Sequence, residues 1–85
     1  MKITKTFIPG LFVIEPRVFK DQRGYFFESY NDIIYKDAGF TAAFVQDNES
    51  KSEKGVVRGL HYQLEPYAQA KLVRVIEGKV YDVAL

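Results

Sequence analysis

Short apolar runs broken by turn residues constrain this chain more than any other feature. Turn residues stand at Pro9-Gly10, at Asp21-Gln22-Arg23-Gly24 and at Glu77-Gly78. The β-branched and aromatic residues between the turns predict strands over residues 3–8, 11–19, 25–30, 43–48, 56–63, 71–76 and 79–85. Glu15-Pro16 makes the second of these an edge or bulged strand, because proline cannot donate to a ladder. The fold class that this spacing predicts is mainly β, an antiparallel sandwich or barrel.

One segment carries helical signals instead. Asn31 can cap a first turn, Asp32 and Lys36 stand at i and i+4, and Gly39 suits the left-handed residue after a helix. We therefore predict a short helix over residues 31–39. At about two turns it requires packing against another element to be stable.

The size of the chain limits how stable it can be. At 85 residues it holds one domain at most. Hydrophobic residues make up 47%, which excludes a disordered segment, but a domain this small buries only about 60–65% of its unfolded surface. We expect it to pair with a second chain or with further sequence. Residues 83–85 are apolar and lie inside a predicted strand, so we expect residues 1–85 to be the N-terminal part of a longer domain.

Charge and cysteine content exclude several function classes. The 12 Lys and Arg against 11 Asp and Glu give a net charge of +1, which provides no long-range field for nucleic acid or an anionic membrane. The absence of cysteine excludes disulfides and thiolate zinc sites. No apolar run approaches the about 20 residues of a membrane span, and no secretory signal is visible. We expect a cytoplasmic protein.

The single histidine, His61, lies in the segment GVVRGLHYQ. A lone histidine on a strand is more often structural than catalytic. Gln63 stands where a second histidine ligand would be on the same strand face, so a metal site is disfavoured. Gly59, also on that face, leaves room for a ligand. Both a structural and a catalytic interpretation of His61 remain open on pattern alone.

Other polar side chains also have two interpretations. Lys71 shares a predicted strand face with Val73 and Val75. It either points into an apolar interior, where it needs an anion, or begins its strand in solvent. The remaining candidates are either ordinary turn and surface residues or ligand-binding groups: Arg23, Glu28, Gln46, Asp47 and Asn48.

Four segments in order carry a family resemblance: FKDQRGYFFE from Phe19, QDNES from Gln46, GVVRGLHYQ from Gly55 and AQAKLVRV from Ala68. Together they resemble the dTDP-4-dehydrorhamnose 3,5-epimerases over essentially the whole chain. The resemblance implies a cupin-type jelly-roll, here an N-terminal portion with one short helix. It also implies a homodimer without metal or organic cofactor.

The resemblance further implies the substrate and the residue roles. The substrate is dTDP-4-dehydro-6-deoxy-D-glucose, whose C4 ketone acidifies the hydrogens on C3 and C5, and both centres are inverted. His61 matches the general base, a role that suits imidazole at neutral pH. Lys71 matches the cation that stabilises charge on the C4 oxygen. The positions that match substrate binding are Arg23, Glu28, Gln46, Asp47, Asn48 and Arg58.

Arg58 conflicts with a regular strand, because it would lie on the face opposite His61. Either it serves the site of the dimer partner, or a bulge near Gly59 re-aims it. The proton-donating tyrosine and the base-orienting carboxylate of the family lie later than residue 85, so no tyrosine here takes the donor role. The alternatives are an epimerase of one centre in a related dTDP-4-keto sugar, and a catalytically silent nucleotide-sugar-binding cupin fragment.

Overall fold

Regular secondary structure is confined to the first half of the chain. The computed structural model describes residues 1–85, which divide into two units, residues 1–43 and residues 44–85. The first unit contains β1 (Lys2–Lys5), β2 (Phe12–Glu15), β3 (Val18–Asp21), β4 (Gly24–Phe27) and α1 (Asp32–Asp37). Antiparallel strands with one short helix confirm the mainly β class. The helix is six residues long, too short to cross a membrane.

β1 and β2 form an antiparallel pair in which Ile3 lies opposite Ile14. These two residues and Phe12 are half-buried, whereas their neighbours along β2 are exposed, as alternation across a strand requires. Thr6 stabilises the loop between β1 and β2. Its N–H donates to the Leu11 carbonyl at 3.2 Å, and its hydroxyl donates to the same oxygen at 2.9 Å. The predicted first strand is therefore shorter than expected and ends before the turn at Gly10.

β3 and β4 form a second antiparallel pair, separated from β2 at Pro16. The predicted run over residues 11–19 is thus two strands, because proline has no N–H for a ladder. Asp21 lies opposite Gly24, so Gln22 and Arg23 form the loop of a tight hairpin. Gly24 has φ +140°, a backbone conformation that residues with a Cβ rarely adopt. The predicted hairpin loop over residues 21–24 is confirmed.

α1 begins and ends as the sequence predicts. The Asn31 side chain accepts a hydrogen bond from the Ile34 N–H at 3.1 Å, which satisfies one of the open donors of the first turn. Asp32 and Lys36 form an ion pair at 2.8 Å, and Gly39 follows the helix with φ +102°. The predicted segment 31–39 therefore comprises the helix Asp32–Asp37 and its two capping regions.

The core of the first unit is an aromatic cluster around Tyr35, the one buried residue of the chain, which is 3% exposed. Its ring meets Tyr30 edge-on at 5.1 Å and lies 5.4 Å from Phe40. Phe40 in turn lies 4.5 Å from Phe12. This chain of rings attaches the helix to β2 and supplies the packing that so short a helix needs.

The strands predicted over residues 43–48, 56–63, 71–76 and 79–85 are not formed, and this corrects the sequence prediction. Within residues 44–85 every residue except the half-buried Phe44 is exposed, and backbone hydrogen bonds form only two turns, Glu53–Val56 and Leu64–Tyr67. A strand exists only where a second strand takes up its N–H and C=O groups. These segments have the composition of strands but no paired neighbour.

Candidate functional site

Arg23 stands at the tip of the β3–β4 hairpin and is held by Asp21 through three contacts. Its Nη2 and Nε atoms donate to Asp21 Oδ2 at 2.6 Å and 3.2 Å. Its backbone N–H donates to Asp21 Oδ1 at 2.8 Å. The guanidinium and the N–H of Arg23 lower the pKa of the Asp21 carboxyl. The Arg23 side chain is nevertheless 90% exposed, so it is fixed by this carboxylate and open to a ligand.

An open depression of about 450 Å³ surrounds this hairpin tip and combines a cation with aromatic rings. Tyr25 and Phe26 are largely exposed, and the Tyr25 ring stacks on Phe27 at 5.9 Å. Phosphate oxygens bind guanidinium groups, and nucleobases stack on aromatic rings. The residues that line the depression are Phe19, Lys20, Asp21, Arg23, Gly24, Tyr25 and Phe26.

Glu28 follows β4 and lines a second, smaller depression of about 220 Å³. Phe19 and Phe26 line both depressions, so Arg23 and Glu28 border the same pair of rings. The Arg17 guanidinium lies over the Phe19 ring, 4.9 Å from its centroid. The first unit therefore presents two predicted substrate-binding residues beside exposed aromatic surface.

In the second unit Arg58 folds back onto the preceding loop. Its Nε donates to Ser52 Oγ at 2.8 Å and its Nη2 donates to the Lys51 carbonyl at 3.2 Å. Gln46 Nε2 donates to Asn48 Oδ1 at 3.2 Å, so two of the three residues of the Gln46-Asp47-Asn48 segment contact each other. These side chains form local contacts within one loop region.

His61 and Lys71 are exposed and lie on irregular backbone. The predicted strand faces do not form here, because the strands themselves are not formed. Gly59 has φ +157°, and a Cβ placed on it would meet nothing within 4 Å, so the space at Gly59 is open. The backbone at Gly59 is irregular, as it is throughout the second unit, and without a ladder the bulge that would re-aim Arg58 is not formed. No hydrogen bond or ion pair links His61 or Lys71 to another predicted site residue.

No group of three or more His, Asp or Glu side chains is arranged to hold a metal ion.

Two side chains that contact the arginines, those of Asp21 and Ser52, were not among the predicted site residues. For Asp21 the sequence contained a signal. An aspartate in a tight loop commonly accepts a hydrogen bond from the backbone N–H of the residue two positions later, which here is Arg23. For Ser52, six residues from Arg58, the sequence contains no comparable signal.

Comparison with known proteins decides the family. The family model described as dTDP-4-dehydrorhamnose 3,5-epimerase matches residues 5–85. The chain belongs to the dTDP-4-dehydrorhamnose 3,5-epimerase family. This confirms the resemblance that the four sequence segments carry.

Curated relatives of that name cover the whole chain. A dTDP-4-dehydrorhamnose 3,5-epimerase of Shigella flexneri is 58% identical over 86 aligned positions, 100% of this chain and 48% of the relative. One of Methanothermobacter thermautotrophicus is 51% identical, over 99% of this chain and 45% of the relative. One of Mycobacterium tuberculosis is 40% identical, over 100% of this chain and 43% of the relative. The chain thus spans about half the length of these epimerases. No solved structure gives a significant match.

The predicted site residues of this epimerase family member are divided between the two units. Arg23 and Glu28 lie in the first unit, on or just after the β3–β4 hairpin. The second unit contains Gln46, Asp47, Asn48, Arg58, His61 and Lys71. Within their own units, the two arginines are each held by a local partner, while His61 and Lys71 are held by none.

Proposed function

We propose that this chain is the N-terminal part of a single cupin-type jelly-roll domain that epimerises C3 and C5 of dTDP-4-dehydro-6-deoxy-D-glucose. The product is dTDP-4-dehydro-L-rhamnose. The observation that carries the proposal is the family match over residues 5–85, with relatives of that name at 58% and 51% identity. The mainly antiparallel strands of the first unit agree with a jelly-roll.

His61 acts as the general base in this proposal. The C4 ketone acidifies the hydrogens on C3 and C5, so a base that works near neutral pH can remove each proton in turn. The electron pair of the broken C–H bond moves into an enolate whose negative charge lies on the C4 oxygen. A proton then returns to the carbon from the opposite face, which inverts the centre. The exposed imidazole, with open space at Gly59, supports this role.

Lys71 stabilises the enolate. Its ammonium group is exposed and free to meet the oxygen on which charge develops. A fixed cation or hydrogen-bond donor at such an oxygen typically contributes about 3–4 kcal/mol to lowering the barrier. Lys71→Ala is therefore expected to reduce kcat by about a hundredfold or more. Lys79→Ala, which removes another exposed lysine of the same unit, serves as the control.

The remaining site residues hold the nucleotide sugar. Arg23 and Arg58 bind the diphosphate through charge-assisted hydrogen bonds, which are often bidentate for arginine. Tyr25 and Phe26 lie on opposite faces of β4 near Arg23, and either exposed ring is one on which thymine can stack. Polar contacts to the rest of the substrate come from Glu28, Gln46, Asp47 and Asn48.

The protein works as a homodimer and without a cofactor. Tyr35 is the one buried residue, and the apolar side chains of the second unit are exposed, so this chain leaves extensive apolar surface for a partner to cover. The proposed reaction moves protons and leaves the oxidation state of the sugar unchanged. It therefore requires no redox group, and Lys71 supplies at the C4 oxygen the positive charge that a metal ion supplies in other enzymes.

The test is proton exchange in D₂O, with the protein at its natural length and the 4-keto sugar nucleotide as substrate. We expect deuterium at both C3 and C5, read by proton NMR. Deuterium at one carbon would favour an epimerase of a single centre. A folded dimer that binds dTDP and incorporates no deuterium would be a silent binding protein.

Two substitutions separate catalysis from binding. His61→Asn is expected to abolish exchange with little change in the Kd for dTDP, because the imidazole acts on the sugar. Arg23→Ala is expected to raise that Kd while exchange persists at saturating substrate. The reverse pattern would show that the two roles are misassigned.

A further inference from the structure

The two arginines that we propose as diphosphate ligands each contact a local partner through the same edge of the guanidinium group. In Arg23 the Nε and Nη2 atoms donate to Asp21 Oδ2. In Arg58 the same two atoms donate to Ser52 Oγ and to the Lys51 carbonyl. The two contacts occur in different units and involve different chemistry, a carboxylate in one and neutral oxygens in the other. The shared feature is which atoms of the arginine are engaged.

Engaging this edge leaves the other edge available. A guanidinium carries one N–H on Nε and two on each Nη atom, arranged in a plane. A contact to Nε and Nη2 uses the N–H groups along one side edge of this plane. The end edge of the guanidinium, formed by Nη1 and the second N–H of Nη2, remains free for a bidentate contact with a phosphate. For Arg23 this free end belongs to a side chain that is 90% exposed.

We infer that Asp21 and Ser52 are positioning residues, which hold Arg23 and Arg58 with the free ends of their guanidinium groups presented to the diphosphate. The inference rests on the proposed function, because it takes both arginines as diphosphate ligands. A long, exposed arginine samples many rotamers, and a ligand that must order it binds less tightly. Asp21 and Ser52 remove part of that disorder before the ligand arrives.

Ser52→Ala is the cleaner test, since it removes one hydrogen bond to Arg58 and changes no charge. Ordering one rotamer-rich side chain on binding corresponds to about a two- to tenfold change in Kd. We expect Ser52→Ala to raise the Kd for dTDP, measured by titration calorimetry, and the KM for the sugar nucleotide by that factor. The value of kcat is expected to stay unchanged, because Ser52 does not touch the reacting atoms. Ser50→Ala in the same loop is the matched control, and Ser52→Thr is expected to restore binding.

Asp21→Asn tests the positioning of Arg23. The amide keeps an oxygen for the backbone N–H of Arg23 but replaces the carboxylate that both guanidinium nitrogens share. Loss of the negative charge also strengthens the attraction of Arg23 for an anion. Binding is therefore measured at about 1 M salt, where the screening length is about 3 Å. We expect a two- to tenfold rise in Kd. Asp32→Asn, which breaks the similarly exposed ion pair with Lys36, is the matched control.

A double-mutant cycle shows whether each residue acts through its arginine. Ser52→Ala is expected to have no further effect when Arg58 is already alanine, and Asp21→Asn none when Arg23 is alanine. Thermal unfolding of every variant confirms that the fold is retained.

Three results are distinguishable. If the natural-length protein neither binds dTDP nor exchanges protons, the proposed function fails. If Arg23→Ala and Arg58→Ala weaken dTDP binding but Ser52→Ala and Asp21→Asn match their controls, the positioning inference alone is wrong. Additive losses in the cycle would also overturn it, because they would mean that Asp21 and Ser52 act independently of the arginines.

Discussion

Tyr35 offers the sharpest test of how the first unit is held together. It is 3% exposed and touches the rings of Tyr30 and Phe40. A buried aromatic side chain removes about 150–250 Å² from water, and at about 25 cal/mol per Å² this corresponds to roughly 4–6 kcal/mol. The methyl group of alanine retains part of that burial, and unfolded chains are not fully extended. We therefore expect Tyr35→Ala to lower the free energy of unfolding by about 3–5 kcal/mol.

Tyr35→Phe shows how much of this loss in the free energy of unfolding comes from the hydroxyl and how much from the ring. The hydroxyl donates to the Ser29 carbonyl at 3.3 Å, which is longer than the usual range for such a bond. It should contribute less than about 1 kcal/mol, so Tyr35→Phe is expected to stay close to the wild-type chain.

The assay is urea unfolding followed by far-ultraviolet circular dichroism on the 85-residue chain. Tyr81→Ala is the control, because Tyr81 is almost fully exposed and its loss should change the free energy of unfolding by less than about 0.5 kcal/mol. An equal effect of Tyr35→Ala and Tyr81→Ala would refute the view that the aromatic cluster organises the first unit.

Three further predictions concern the helix and its core. Asn31→Ala removes the cap on Ile34 and should cost about 1 kcal/mol, measured as a lower urea midpoint, while Asn31→Asp should be nearly neutral. Gly39→Ala forces a Cβ into φ +102° and should cost about 1–2 kcal/mol, so an unchanged midpoint would show that this conformation is not required. Burial raises the pKa of Tyr35 above that of an unfolded tyrosine, so its stabilising effect is complete below about pH 10 and is lost as the pH rises further. Above pH 10, Tyr35→Phe should therefore have a higher urea midpoint than wild type. Urea titrations at a series of increasing pH values measure this difference.

Local signals predicted the first unit well. The cap at Asn31, the ion pair at Asp32 and the hairpin loop at Gly24 each depend on residues within a few positions, so the sequence alone contains the information. The break at Pro16 follows from the same kind of local chemistry, although the sequence left open whether the result would be a bulge or two strands.

The second unit shows the limit of such reasoning. The segments around His61 and Lys71 have the apolar, β-branched composition of strands, but a strand also requires a partner at long sequence distance. Four ordered segments were enough to predict the family, and the roles of the site residues that they suggest stay predictions. The spacing of Asp21 and Arg23 could predict the contact to the Arg23 backbone N–H. The guanidinium contacts of Asp21 and Ser52 could not be predicted, because side-chain rotamers decide which edge of a guanidinium is engaged.

The burial of Tyr35 also provides an intrinsic spectroscopic probe of folding. The sequence has six tyrosines and no tryptophan, so tyrosine dominates absorption near 280 nm. Tyr62, Tyr67 and Tyr81 of the second unit are all exposed, whereas Tyr35 is enclosed by other rings. A phenol ring held fixed in the asymmetric interior of a protein gives a near-ultraviolet dichroism band, whereas exposed, freely rotating phenol rings give little. That band will therefore follow the folding of residues 1–43 without a label, and will leave the second unit unseen.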